Sequence, residues 1–218
     1  MTRLKRIATT PGEAAAVVAL CFGWPIVLSL RVVLANFHVE NRGFDDVGAL
    51  ALVIYEIAFA LAALSLLRVR GYDIASLRPR PAWGDTGAGL ILGLAAIMAG
   101  MLAMAACSAG QAEQPITEMM RRSTIGLPML LLMAIVNGAF EEVFLLGFLM
   151  RGLQERGLSI SLGVMVLVRV SYHLYQGPLG ALYMLVFGLV FGLFYARSQR
   201  LWPAVFAHMM CDVIPFVG

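Results

Sequence analysis

The chain has 218 residues, of which 61% are hydrophobic and 13% charged, and its mean hydropathy is +0.85. Soluble domains average about 45–50% apolar and about 25% charged residues, so a water-soluble core of this size could not enclose so much apolar surface. Lipid must be part of the solvent, and the chain reads as all-α, a polytopic transmembrane helical bundle. The formal charge of +3 and pI of 9.0 do not point to nucleic acid. The basic residues lie between apolar runs and form no stripe interleaved with aromatics. Cys21, Cys107 and Cys211 all fall in apolar runs with no metal or disulfide spacing, so they read as small packing residues.

A span needs about 20 mostly apolar residues. Runs at 14–35, 46–67, 84–108, 126–150, 158–175, 178–196 and 200–217 predict about seven. The first follows Arg3, Lys5 and Arg6, is long for a signal core and shows no small-residue cleavage site, so it reads as an uncleaved anchor. Arg68, Arg70, Arg78 and Arg80 follow the second run, Arg151 and Arg156 the fourth, and Arg197 and Arg200 the sixth. Segment 36–45 carries one arginine against Glu40 and Asp45. This alternation predicts a cytoplasmic N-terminus, with the mixed polar stretch 109–123 outside. Compactness and the lack of targeting tails point to a bacterial inner membrane. Arg78-Pro79-Arg80-Pro81 is a stiff basic linker. It divides a two-span region, 1–80, from a core, 81–218. Glu56 is the one intramembrane ionisable residue of interest before it.

Three clusters beyond the linker carry chemistry. The first is Asn137-Gly-Ala-Phe-Glu141-Glu142. A charged side chain at mid-bilayer costs about 2.5–3.5 kcal/mol on insertion scales, so two adjacent carboxylates need a reason. Successive helix residues point about 100° apart, which lets one carboxylate face a cavity while the other meets a neighbouring helix. The bland reading is a protonated pair that glues helices together. The second cluster runs from Arg169 to His173, and the third from His208 to Asp212. Each is an i, i+4 pair on one helix face. Either histidine alone would usually be a hydrogen-bonded packing residue. Two such pairs with two glutamates supply a base, donors and metal ligands, the parts of a hydrolytic site. His38, in a polar loop without a partner pattern, is set aside.

At these residues the chain resembles the CPBP family of CAAX proteases and bacteriocin-processing enzymes, also called the Abi family. That family's pattern is Glu-Glu-x-x-x-Arg, Phe-x-x-x-His and His-x-x-x-Asn/Asp on successive helices. Here Leu146 stands at the arginine place and Arg169 at the phenylalanine place. Because Arg169 and Glu142 would each be costly in lipid alone, Arg169 is expected to replace the missing arginine from the neighbouring helix. Arg151 is the rival partner, although it is placed to snorkel to the headgroups.

The resemblance covers about the last 100 residues and implies hydrolysis of a peptide bond in a membrane-associated peptide or protein. Glu141, with or without His173, would activate water, Glu142 would be its structural neighbour, and His208 and Asp212 would orient the site or stabilise the oxyanion. A second account has His173, His208 and Glu141 hold Zn²⁺. Counted along the spans, His173 falls toward the outer end of its helix, and the Gly177-Pro178 break would allow a re-entrant or shifted helix to bring it inward. The sub-pattern Tyr172 to Pro178 is expected to shape the cavity mouth. Two other readings stand: an inactive immunity or scaffold relative, suggested by Leu146, and a proton-coupled transporter, which the absence of repeat symmetry disfavours.

Overall fold

The structure, a computed structural model, describes residues 7–37, 43–108 and 114–217. Arg3, Lys5, Arg6, His38 and Glu40 lie outside these. Among the described residues eight α-helices follow in order: α1 (Pro11–Leu34), α2 (Asp46–Val69), α3 (Trp83–Cys107), α4 (Pro115–Arg121), α5 (Leu127–Glu142), α6 (Leu158–His173), α7 (Pro178–Ser198) and α8 (Leu201–Val217). Val143–Met150 carries α5 onward as a π-helix. Six of these segments are long and apolar enough to cross a membrane, and α8 is a shorter seventh of 17 residues. The chain is an integral membrane protein.

Local chemistry explains the helix starts. Thr10 and Glu13 form a reciprocal capping box, 3.2 and 3.1 Å, ahead of Pro11 at the first turn. Asp45 accepts the Gly48 N–H at 2.7 Å to cap α2. The polar stretch read as loop contains α4, which starts at Pro115. Its Glu118 reaches both Arg121 and Arg122, one turn on. The hydrogen bond from Arg121, then that from Arg122, holds the Glu118 carboxyl below the usual carboxylate range.

Packing then follows from small residues, because lipid offers no hydrophobic drive between helices. On α3, Gly89 and Gly93 stand four apart and face α8. A Cβ on Gly89 would lie 2.7 Å from the Pro203 carbonyl oxygen. Gly138 likewise lets α5 approach Met209. Exposed Leu61, Ile91 and Leu102 face outward, as a lipid-facing surface requires.

Hydrogen bonds tie each end of the bundle. At one end Thr9 N–H donates to Gly152 O (3.1 Å) and Arg151 Nη1 to Ser76 O (3.2 Å). At the other, Gly126 N–H donates to Asp46 Oδ1 (2.7 Å), Tyr175 N–H to Ser29 Oγ (2.9 Å) and Leu179 N–H to Gln114 Oε1 (3.0 Å). The loop arginines 68, 70, 78, 80, 151, 156, 197 and 200 all belong to the first end.

The re-entrant helix does not form. α6 is continuous to His173, a 3₁₀ turn covers Leu174–Gln176, and Gly177 at φ 93° passes directly to Pro178 of α7. That left-handed backbone costs glycine nothing.

Gly89→Val should push α3 from α8 and cost about 1–3 kcal/mol, the usual penalty of overpacking. A lower unfolding temperature in detergent checks it, while Gly87→Val, at a position with open space beside it, should leave that temperature unchanged.

Candidate functional site in the membrane interior

Glu141 and Glu142 end the regular part of α5, where hydrogen bonding widens into the π segment. Such segments gather at functional sites. The residues from Phe144 to Met150 are all buried, so this stretch is the centre of the bundle.

The two carboxyls point apart, as the helix period requires. Glu141 lines a cavity of about 580 Å³, whereas Glu142 is wholly enclosed between α6 and α8. Arg169 reaches both from α6. Its Nη2 lies 2.7 Å from Glu142 Oε1 and its Nη1 lies 3.3 Å from Glu141 Oε2. The guanidinium is fully buried and sits 5.1 Å over the Phe187 ring and 5.9 Å from that of Phe191. Those ring faces add cation–π attraction in place of water. Arg151, the rival, instead donates to Ser76 at the end of the bundle.

His208 comes from α8. Its Nδ1 is 2.6 Å from Glu142 Oε1, and its Nε2 is 3.6 Å from Asp212 Oδ1 and 3.9 Å from Glu141 Oε2. A carboxylate oxygen only accepts, so Nδ1 carries a proton toward Glu142 and Nε2 is turned to the other two acids. Asp212 is held from α5 by the Asn137 amide at 2.9 Å. Tyr172 donates its O–H to Glu141 Oε2. Its ring stacks on Phe22 of α1 at 5.1 Å, so α1 braces the residue that orients Glu141. The sequence placed Asn137 in the first cluster and Tyr172 in the cavity-mouth sub-pattern, but it pointed to neither contact with an acid.

His173 stands at the last turn of α6 on the cavity wall. Its Nδ1 lies 2.9 Å from the Arg169 carbonyl, which makes that nitrogen the donor and leaves Nε2 without a hydrogen bond among the described residues. Tyr175 and Gln176 join it on the wall, so this segment does shape the cavity.

The metal-ligand set drawn from the sequence was Glu141, His173 and His208. The set gathered in space is Glu141, Glu142 and His208, with candidate atoms within 4.8 Å of one another. His173 is not part of that set. The gathered donors suit Zn²⁺ by type. Their charge does not, because Arg169 already occupies Glu142 Oε1 and Glu141 Oε2 and would repel a dication beside it. These residues do not fit a resident Zn²⁺.

The fold and site define a class: a polytopic membrane protein with a carboxylate–guanidinium–imidazole cluster opening on an intramembrane cavity. Residues 123–214 match the family model described as type II CAAX prenyl endopeptidase Rce1-like, which agrees with the CPBP resemblance. No curated protein and no solved structure matches the chain.

Arg169→Leu should cost about 3–5 kcal/mol by leaving the buried carboxylates uncompensated. Adding Glu142→Gln should recover part of that loss, and additive effects in the double-mutant cycle would show that the two residues are not coupled.

Proposed function

We propose that the chain is an intramembrane endopeptidase that hydrolyses a peptide bond of a membrane-associated peptide or protein. One observation carries this reading: of the adjacent glutamates, the one that opens on the cavity is also the one held in place by Tyr172 and Arg169. With Oε2 engaged by those donors, Oε1 is the oxygen left to bind water.

Glu141 takes a proton from that water as its oxygen attacks the scissile carbonyl carbon, then passes the proton to the leaving nitrogen as the C–N bond breaks. Developing charge on the carbonyl oxygen needs preorganised donors. His208 Nε2, when protonated, and the Asn137 amide beside Asp212 are such groups on the cavity wall. Glu142 touches no cavity space, and its work is to fix Arg169 and His208. His173 Nε2 is a second proton acceptor on the wall. The missing motif arginine, which favoured an inactive relative, loses its force because Arg169 brings a guanidinium to the same glutamates from α6.

A pocket of about 300–1,000 Å³ accommodates a small ligand or a few side chains, and this one lies within that range. Its walls include Phe44, Ile116, Met120 and Phe216, from the end opposite the arginine-rich loops. By the positive-inside rule those loops face the cytoplasm, in a bacterial inner membrane on this reading.

In proteoliposomes, Glu141→Gln should lower cleavage of a fluorogenic transmembrane peptide by about 10²–10⁴-fold, the usual worth of a general base. Undiminished cleavage would refute the assignment. Prolonged dialysis against a chelator should leave wild-type cleavage unchanged, and a loss restored by Zn²⁺ would favour the metal account.

A further inference from the structure

The cavity carries another carboxyl, contributed by a helix outside the matched segment. Glu56 lies in the middle of α2, is 3% exposed and lines the same cavity as Glu141 and Asp212. Its Oε2 is sealed from solvent and has no hydrogen-bond partner among the described residues. Glu142 Oε2 is likewise without a partner, but Glu142 does not line the cavity, and each of the site's other acids has at least one oxygen engaged. Glu141 and Glu142 share Arg169, and Asp212 has Asn137 and faces His208. The polar neighbour Tyr55 gives its O–H to the Cys21 carbonyl at 3.0 Å, so it does not serve Glu56.

The rest of the wall matches one kind of occupant. Among the described residues it holds three carboxyls and no lysine or arginine, set among aromatic and methionine side chains such as Phe22, Met101 and Tyr183. Such a surface accepts an alkyl stem along its apolar part and a cationic head at the acid. A carboxyl buried here is costly as an anion unless a cation pairs with it, and among the described residues no lysine or arginine of this wall does so for Glu56.

We propose that Glu56 selects substrates with a basic side chain near the scissile bond, holding its cationic head while the apolar stem lies along the cavity. This rests on the protease reading of Glu141 and adds a substrate class to it. Glu56 acts as a specificity-determining residue and takes no part in proton transfer.

The test uses the full chain in proteoliposomes and helical peptides in which lysine or norleucine is placed in turn at each position flanking the cleaved bond. At one position the wild type should favour lysine in kcat/KM by about tenfold or more, the worth of a charge-assisted hydrogen bond. Glu56→Gln, and independently Glu56→Met, should bring that ratio near one, with the change mainly in KM. A wild type without a lysine preference, or variants that keep it, would overturn the proposal. A second arm needs no cleavage. Millimolar n-hexylammonium chloride should raise the unfolding temperature of the wild type more than that of Glu56→Gln, and equal shifts would overturn the proposal. If no peptide is cleaved while the ammonium shift depends on Glu56, the protease reading fails and the cation site stands.

Discussion

Burying a guanidinium in a membrane interior is costly, and the structure meets that cost by placing Arg169 against two carboxylates and two aromatic faces. Much of the site follows from this arrangement. Arg169 fixes α6 against the end of α5, and Glu142, held by Arg169, fixes His208 of α8. His208 in turn lies beside Asp212, whose Asn137 partner returns the network to α5. Glu141 is oriented by the same guanidinium and by a tyrosine on the same helix. Buried polar networks of this kind specify one geometry more than they add stability, because each member is costly once its partner leaves.

The sequence made a good part of this legible. Hydropathy alone marked the long apolar segments, because a lipid solvent leaves an unmistakable compositional trace. The contact between Arg169 and Glu142 was legible for an energetic reason: neither side chain is tolerable alone at that depth. Other features left weaker traces. α4 hides in a polar stretch because one short helix held by Glu118, Arg121 and Arg122 differs little in composition from a loop. The π segment from Val143 to Met150 is simply apolar, and nothing in its residue types separates i→i+5 from i→i+4 bonding. Tyr172 and Asn137 depend on which way their helices are rotated against neighbours far along the chain. Glu56 stood out as a polar exception, but its wall partners come from at least five other segments, and no local pattern could collect them.

The division between matched and unmatched segments does not follow the cavity. The polar cluster comes from α5, α6 and α8, whereas α1, α2 and α3 supply a large part of the apolar wall through residues such as Phe22, Leu52 and Ile97. The polar cluster and much of the apolar wall thus come from different stretches of the chain. Phe22 joins the two, since it both lines the cavity and stacks on the tyrosine that holds Glu141. Changes in the first three helices can alter what the cavity admits without touching the carboxylate cluster itself.

The connection between α5 and α6 is short, a 3₁₀ turn over Gln154–Arg156 followed by Gly157. During biosynthesis, the segment bearing Glu141 and Glu142 would enter the bilayer with two acids, and the next with an arginine. Each charge at mid-membrane opposes partitioning by about 2.5–3.5 kcal/mol on insertion scales. The brevity of the connection makes the two segments one hairpin, so acid and base can neutralise each other on the way in. The translocation machinery would therefore handle this pair as a single unit, with the core of the site assembled at the moment of insertion.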